Sequence, residues 1–137
     1  MKINKLQLVN FRNYDRCTVN FDKMVTVFYG NNGQGKTNIL ESIFYSAFGF
    51  SHRTNKEDEM VRFLSEGMAV LLDFTKEYGP HSVRIKRYCD QGKYHKEIKI
   101  DGNKTTYTIV IPDGIKASAI LSGKHHSLKA GENTFTI

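Results

Sequence analysis

The residues best suited to chemistry form a glycine-rich loop at positions 30 to 37. Its sequence is Gly30-Asn31-Asn32-Gly33-Gln34-Gly35-Lys36-Thr37, which matches the pattern G-x-x-x-x-G-K-[S/T] at every defined position. Glycine adopts backbone conformations that turn successive N–H groups inward, so such a loop can surround an anion. Lys36 would reach the β- and γ-phosphates of a nucleoside triphosphate, and the Thr37 hydroxyl would ligate Mg²⁺. The loop therefore predicts a site for a nucleoside triphosphate and Mg²⁺.

The segments on either side of this loop are predicted to be a buried strand and an amphipathic helix. Residues 24–29 are apolar on both faces, as in a strand buried in the middle of a sheet. After the loop, apolar residues recur at helical spacing up to Gly49, a suitable left-handed cap; they are Ile39, Leu40, Ile43, Phe44, Ala47 and Phe48. The positive N-terminal end of this helix would point at the same anion. This context distinguishes the loop from a chance glycine-rich turn.

The rest of the chain has mostly the pattern of strands. Residues 3–11 alternate between apolar and polar, a turn follows at 13–15, and the alternation resumes at 17, 19 and 21. Thr54 with Glu57 three residues later is a capping box, which predicts a second helix ending at Gly67. Further strands are predicted at 68–75, 82–88, 94–101 and 104–111, and shorter β-like pieces follow, the last at 133–137.

The composition fits one soluble globular domain. The chain has 137 residues, of which 39% are hydrophobic and 25% charged. It lacks the apolar start of a signal peptide and any apolar run near the roughly 20 residues of a membrane span. Cys17 and Cys89 are far apart, so we expect free thiols and a cytoplasmic protein that does not bind membranes. The net charge of +6 permits nucleic-acid contact without establishing it.

Three stretches resemble the N-terminal portion of the RecF family, bacterial DNA replication and repair ATPases related to the SMC proteins. The stretches are Asn10-Phe11-Arg12-Asn13-Tyr14, the loop continued through Asn38-Ile39-Leu40-Glu41, and Ser51-His52-Arg53-Thr54. The resemblance implies an α/β fold, in which the P-loop NTPase core of an ABC/SMC-like head carries an antiparallel β layer. It assigns residues 1–107 to this head, whereas residues 108–137 form a β-rich tail that does not look like the family.

The resemblance also implies binding residues and partners. Such a head dimerises around ATP, binds DNA near single-strand/duplex junctions, works with RecO and RecR in gap repair, and takes part in the SOS response. The implied nucleotide-binding residues are Arg12, Asn13, Gly30, Asn31, Asn32, Gly33, Gln34, Gly35, Lys36, Thr37 and Asn38, with Thr37 on Mg²⁺. From residue type alone, a surface role for Arg12 is an equally good interpretation. His52 and Arg53 match the family pattern and are expected on the nucleotide or DNA side of the head.

The hydrolytic half of such a head is not recognisable in the sequence. Val70-Leu71-Leu72-Asp73 has the outline of a Walker B segment, but Phe74 follows where a glutamate is needed, which favours an ordinary antiparallel strand. Leu121-Ser122-Gly123-Lys124 lacks the second glycine and the glutamine of an LSGGQ signature and predicts a turn between short strands. Because no carboxylate can be assigned to orient the attacking water, the catalytic residues stay unknown. We expect ATP binding with weak or absent hydrolysis.

Basic residues concentrate between positions 76 and 104; they are Lys76, Arg84, Lys86, Arg87, Lys93, Lys96, Lys99 and Lys104. In a strand, Arg84, Lys86 and Tyr88 share one face. This face could lie along a DNA backbone, or it could be a solvated outer face whose lysines protect the sheet from aggregation. His125-His126 would point to opposite faces of a strand without a recognisable third ligand, so zinc is not predicted.

These patterns favour the ATP-binding portion of a RecF-like DNA replication and repair protein, with DNA binding controlled by ATP. The alternative is a non-catalytic P-loop module for binding or assembly, which holds nucleotide without turnover. An unrelated P-loop enzyme, such as a small-molecule kinase, is disfavoured by the Ser-His-Arg-Thr segment.

Overall fold

The computed structural model describes residues 1–77, 79–102, 106–111, 113–114, 116–121 and 123–136. Over these residues the chain forms strands, one α-helix and one short 3-10 helix. In chain order they are β1 (Lys2–Phe11), β2 (Tyr14–Asn20), α1 (Lys36–Phe48), the 3-10 turn (Glu57–Met60), β3 (Gly67–Lys76), β4 (Gly79–Asp90), β5 (Lys93–Gly102), β6 (Thr106–Ile111), β7 (Ala117–Leu121), β8 (Lys124–Leu128) and β9 (Gly131–Thr136).

Seven of these strands form one sheet in the order β2-β1-β3-β4-β5-β7-β8. Its neighbours are antiparallel except β5 and β7, which run parallel. β6 and β9 form a separate antiparallel pair. The predicted antiparallel layer is therefore present as β3, β4 and β5, and the Walker B-like stretch from Val70 to Asp73 is an ordinary part of β3.

The predicted C-terminal pieces are also strands. β6 covers the described part of the strand expected at 104–111, since Lys104 lies outside the described residues. β7 ends at Leu121 and β8 begins at Lys124, on either side of the expected turn, where Ser122 also lies outside the described residues. The last expected strand is β9.

The core lies on one face of the sheet, which we call the inner face. Alternating side chains of the strands are buried there because the side-chain period of a strand is two. They include Leu6, Leu8, Val70, Leu72, Val83, Ile85, Ile98, Ile100, Ala119 and Leu121. α1 packs against the inner face at β1, β3 and β4, and Ile109 and Ile111 of β6 join the same core.

Helix α1 begins and ends where predicted, but only part of its predicted apolar stripe is buried. Its buried residues are Ile39, Glu41, Ser42, Tyr45 and Ser46, whereas Leu40 and Phe48 are 56% and 50% exposed. The serine hydroxyls donate back to the helix backbone, so these small residues satisfy their own polar groups against the sheet. The apolar stripe only partly overlaps the buried face: Ile39 is buried and Ile43 packs against the core, whereas the rings of Phe44 and Phe48 lie in a tilted arrangement with centroids 4.5 Å apart.

The predicted strand at residues 24–29 is also absent. The segment is not in either described sheet, and Met24, Val25, Val27 and Tyr29 are 73% to 90% exposed. A central strand needs hydrogen-bonding neighbours on both sides, and the order of the described sheet places none of them beside this segment. The apolar residues of this segment would suit a strand buried between two layers of the fold, but none of the described strands pairs with it.

The predicted second α-helix is replaced by the 3-10 turn. The Thr54 hydroxyl accepts from the Lys56 N–H at 3.0 Å and donates to Glu59 Oε2 at 2.6 Å, so it closes a local turn instead of a capping box. Val61 is extended and forms a bridge with Phe11. The chain thus leaves helical conformation after one turn and runs beside the end of β1.

Candidate nucleotide site

The phosphate loop (residues 30–37) leads directly into α1, whose N-terminus is not capped by a side chain. The N-cap is Gly35, with a left-handed φ of 96°; no side-chain hydrogen bond caps the helix, and its first turn contains no acidic residue. The backbone N–H groups and the positive end of the helix dipole are therefore available to an anion. Gly30 and Gly33 also have positive φ, and a Cβ at either would meet no atom within 4 Å. Both glycines therefore have open space beside them.

The turn between β1 and β2 packs tightly against this loop. A Cβ built on Gly35 would lie 2.5 Å from the Tyr14 hydroxyl and 2.9 Å from Asn13 Nδ2. The same hydroxyl is 3.5 Å from the carbonyl oxygen of Gln34, to which it donates. Burial raises the pKa of Tyr14, which keeps this group a neutral donor. Glycine at position 35 is therefore required both by its backbone conformation and by the nearness of the turn.

The two residues expected to hold the triphosphate and its metal ion start the helix. Lys36 Nζ donates to the carbonyl oxygens of Gly30 at 2.9 Å and Asn31 at 2.6 Å, so its ammonium already lies over the loop. Thr37 is exposed, so its hydroxyl is open to solvent. A triphosphate would draw the ammonium towards its oxygens, and a hydroxyl at this position is an oxygen donor of the type Mg²⁺ prefers.

A buried carboxylate behind the loop holds two arginines. Arg12 binds Glu41 in bidentate form, with Nε to Oε2 at 2.9 Å and Nη2 to Oε1 at 2.6 Å. Arg53 Nη1 donates to Glu41 Oε2 at 2.9 Å, and the Ser51 hydroxyl donates to Oε1 at 2.5 Å. Burial raises the pKa of Glu41, but these hydrogen bonds and the arginine charges outweigh it and hold that pKa below its ordinary value. The carboxylate is ionised and its four acceptor positions are filled.

This cluster continues to the loop through two asparagines. Arg53 Nη1 also donates to Asn38 Oδ1 at 2.7 Å, and Asn38 Nδ2 donates to Asn13 Oδ1 at 2.8 Å. Asn13 in turn borders Gly35. Hydrogen bonds therefore connect the arginines to the helix start.

The backbone around Arg12 is held in an unusual conformation. Asn10 and Arg12 have φ of 50° and 54°, which non-glycine residues rarely adopt. The strain is maintained by hydrogen bonds to the neighbouring segment, from Arg12 N to Met60 O at 2.7 Å and from Arg62 N to Asn10 O at 2.8 Å. Arg12 Nη1 also donates to Glu59 O at 2.6 Å. Left-handed residues that are held this firmly are typical of functional sites.

The structure thus brings the predicted nucleotide residues together and leaves the predicted DNA residues elsewhere. Asn13 contacts Gly35 of the phosphate loop, Asn38 follows the loop in α1, and Arg12 is connected to them through Glu41 and Arg53. Sequence reasoning missed Glu41 and Ser51 as site residues, although both lie in the stretches that carry the family resemblance. The signal that could have identified them in the sequence is the charge of Glu41 and the polarity of Ser51 next to an arginine-containing motif.

Arg84, Lys86 and Tyr88 lie on the opposite, outer face of the sheet. All three are exposed on β4, as predicted from strand periodicity, and pair with Lys99, Glu97 and His95 of β5. Tyr88 and His95 stack with their ring centroids 5.4 Å apart. The face is not uniformly basic, because Glu97 and Asp101 lie on it and Lys99 pairs with Asp101 at 3.2 Å.

Two of the basic residues counted with this patch point the other way. Arg87 and Lys96 lie on the inner face because they alternate with the exposed residues of β4 and β5. Lys96 Nζ donates to Glu57 and to the carbonyl oxygen of Gly49 and lies 4.9 Å from the ring centroid of Tyr45. Burial lowers the pKa of Lys96, partly offset by Glu57, and burial raises the pKa of Tyr45 well above its ordinary value.

This second ionic cluster lies at the C-terminal end of α1. Glu57 Oε2 lies 3.7 Å from Arg87 Nε and has no hydrogen-bond partner among the described residues. Arg87 also pairs with Asp58, and its guanidinium covers the Tyr94 ring at 4.0 Å. The cluster joins α1, the 3-10 turn and the sheet, so we interpret it as structural.

Two further findings, on metal ions and on membranes, apply to the part of the chain that the structure describes. No group of three or more His, Cys, Asp or Glu side chains could hold a metal ion there, which includes the region of His125 and His126. None of the described helices is long and apolar enough to cross a membrane.

Comparison with known proteins gives a consistent result. A family model described as an AAA domain matches residues 5–137. The DNA replication and repair protein RecF of Natranaerobius thermophilus is 40% identical over 108 residues, covering 79% of this chain and 28% of that protein. The same-named protein of Clostridioides difficile is 52% identical over 83 residues, covering 61% and 22%. The chain therefore spans about a quarter of the length of these relatives.

Solved structures agree. The recombination mediator protein RecF-ATP of the RecFOR pathway matches with a TM-score of 0.65 and 31% identity, over 76% of this chain and 27% of that one. A structure from work on ATP-driven dimerisation and DNA-stimulated activation of SMC ATPases matches with a TM-score of 0.63 over 74% and 70%, and at 22% identity it shows the fold alone. The resemblance to the N-terminal portion of RecF and the P-loop, SMC-like fold class are confirmed. The division at residue 107 stays a prediction.

Proposed function

Because the chain belongs to the AAA-domain family that its residues 5–137 match, we propose that it binds ATP as part of a RecF-like DNA replication and repair protein. The observation that carries this proposal is the uncapped N-terminus of α1 behind a glycine loop with open space at Gly30 and Gly33. An anion placed there meets backbone N–H groups, the helix dipole and the Lys36 ammonium together.

Each residue then has a defined part in binding. Asn31, Asn32 and Gln34 contribute backbone N–H groups to the loop, and Lys36 binds the β- and γ-phosphates. Thr37 would hold Mg²⁺, which neutralises phosphate charge when bound. Arg12, Asn13 and Asn38 border the phosphates from the β1–β2 turn and the first turn of α1.

The test is Mg-ATP binding by filter retention or calorimetry, with Lys36→Ala as the variant. Lys93→Ala is the matched control, since it removes the same charge from the exposed start of β5. We expect Lys36→Ala to weaken binding at least tenfold, because it removes the ammonium next to the loop carbonyls. Unaltered retention by Lys36→Ala, or none by the unmodified chain, would contradict the proposal.

We propose further that DNA, in particular single-strand/duplex junctions, binds the outer face through Arg84, Lys86 and Tyr88. Two exposed cations and an exposed ring on one strand support contact with a phosphate backbone. Neutralising Arg84 and Lys86 together should weaken DNA binding and reduce its salt dependence by up to about two counter-ions. DNA binding with an unchanged salt slope would contradict this use of the face and favour the solvated-face interpretation.

The alternative function is a module that holds nucleotide without turnover. It is supported by the position of Asp73 inside an antiparallel strand of the sheet, where Phe74 follows it. The two functions differ in ATP turnover, measured with and without DNA at protein concentrations that allow an ATP-dependent homodimer. DNA-stimulated turnover favours a self-sufficient head, and binding without turnover favours the module.

A cytoplasmic location and contacts with RecO- and RecR-type partners belong to the proposal of a RecF-like DNA replication and repair protein.

A further inference from the structure

Glu41 stands at a place where an acid is unexpected. It follows Asn38 by three residues and Thr37 by four, so it lies on their side of α1, and helical side chains lean towards the N-terminus. Its fully buried carboxylate therefore lies behind the first turn of α1. The phosphates would bind at this first turn. A negative charge at this place repels a phosphate, so its presence needs a compensating role.

The compensation is visible in its partners. Glu41 carries one negative charge and binds two guanidinium groups, so the cluster is positive by one charge. The side chains of Arg12 and Arg53 are 17% and 39% exposed, so the pair has one face on the carboxylate and another open towards solvent. The hydrogen bonds from Arg53 through Asn38 to Asn13 fix this pair relative to the loop.

We propose that Glu41 is a positioning residue of the nucleotide site, which holds the guanidinium groups of Arg12 and Arg53 beside the loop where they bind the phosphates. The inference rests on the proposed ATP binding and names what organises that site. Three segments converge on the one carboxylate: the β1–β2 turn through Arg12, α1 itself, and the segment after α1 through Ser51 and Arg53.

The substitution Glu41→Gln tests this role because charge and positioning predict opposite results. If the carboxylate acted only as a charge, its removal would strengthen Mg-ATP binding. If it positions the arginines, Mg-ATP binding weakens by about tenfold, since charge-assisted bonds from two arginines lose their geometry. The ratio of ADP to ATP dissociation constants also falls, because the most highly charged ligand depends most on both guanidinium groups.

Glu97→Gln is the matched control. It makes the same substitution at a glutamate on the outer face of the sheet, away from α1, so we expect Mg-ATP affinity within about twofold of the unmodified chain. In a double-mutant cycle, Arg53→Gln and Glu41→Gln should be non-additive, because each removes the same contact.

Each outcome decides the question. Stronger or unchanged ATP binding by folded Glu41→Gln overturns the positioning role while leaving the proposed function intact. Absence of binding by the unmodified chain overturns both. If Glu41→Gln does not fold, the partly exposed Arg53→Gln replaces it, and an unchanged ADP-to-ATP ratio in that variant overturns the inference.

Discussion

A buried glutamate with two cations lies near each end of α1, Glu41 in the helix itself and Glu57 in the 3-10 turn, yet the two clusters differ in what their cations face. At the N-terminal end, Arg12 and Arg53 keep part of their surface exposed beside an open loop. At the C-terminal end, Lys96 and Arg87 are enclosed between helix and sheet. The comparison teaches that both acids are buried, whereas the exposure of the cations differs: the partly exposed pair belongs to the proposed nucleotide site, and the enclosed pair joins helix and sheet.

The strongest expected effect is on folding, at the C-terminal cluster. Lys96→Met leaves the buried Glu57 with only the Tyr45 hydroxyl at 3.3 Å and Arg87 Nε at 3.7 Å, so we expect the free energy of unfolding to fall by about 3 kcal/mol. The measurement is denaturant unfolding, accompanied by Mg-ATP affinity under native conditions. Weak destabilisation would show that the enclosed cluster is not structural. A large loss of Mg-ATP affinity in folded Lys96→Met would show that the C-terminal cluster also affects nucleotide binding, so the two ends of α1 would not differ in this respect.

The next effect is at the phosphate loop and should appear in ligand binding as well as stability. Gly35→Ala has to adopt a φ near 96° and collides with Tyr14 and Asn13, so we expect about 1–2 kcal/mol of strain and a corresponding loss of Mg-ATP affinity. Gly33→Ala is the control, because it has the same left-handed requirement at φ 80° but open space around its Cβ. Equal losses in both variants would show that the contact with the β1–β2 turn does not matter.

The two ends should also titrate in opposite pH ranges. The pKa of Glu41 is lowered in the fold, so the unfolded chain binds the proton more readily and stability is lost as pH falls from about 4.3 through the folded pKa. The pKa of Lys96 is lowered too, so stability increases as pH rises between the folded pKa and about 10.4. Urea midpoints measured against pH test both directions. Glu41→Gln should remove only the loss of stability at low pH. If this variant also lost the increase of stability at high pH, the assignment of the two pH ranges to Glu41 and Lys96 would be contradicted.

The smallest effect is expected at the edge of the structural cluster. Asp58 pairs with Arg87 but its side chain is 66% exposed, so solvent screens the pair. Asp58→Asn should lower the free energy of unfolding by about 0.5 kcal/mol or less. A loss comparable to that of Lys96→Met would mean that exposure does not rank these contacts.

Sequence patterns predicted the local features that depend on few neighbours. The loop, the start of α1, its Gly49 cap and the antiparallel strands follow from short motifs and from alternation with a period of two. The buried face of α1 could not be predicted in this way, because Glu41 is buried through partners supplied by other segments and the serines through hydrogen bonds to the helix's own backbone. Residues 24–29 failed for a related reason: apolar composition indicates a buried strand only where neighbouring strands exist to pair with it.

The 3-10 turn belongs to both clusters at once. Its first residues, Glu57 and Asp58, hold the cations of the sheet, while the carbonyl groups of Glu59 and Met60 accept hydrogen bonds from Arg12. Four residues thus tie the fold-stabilising end of α1 to the ligand-facing end. In hydrogen-exchange terms, the amides of Arg12 and Arg62 should become exposed only when this turn opens, so they should exchange as one cooperative unit with the buried cluster.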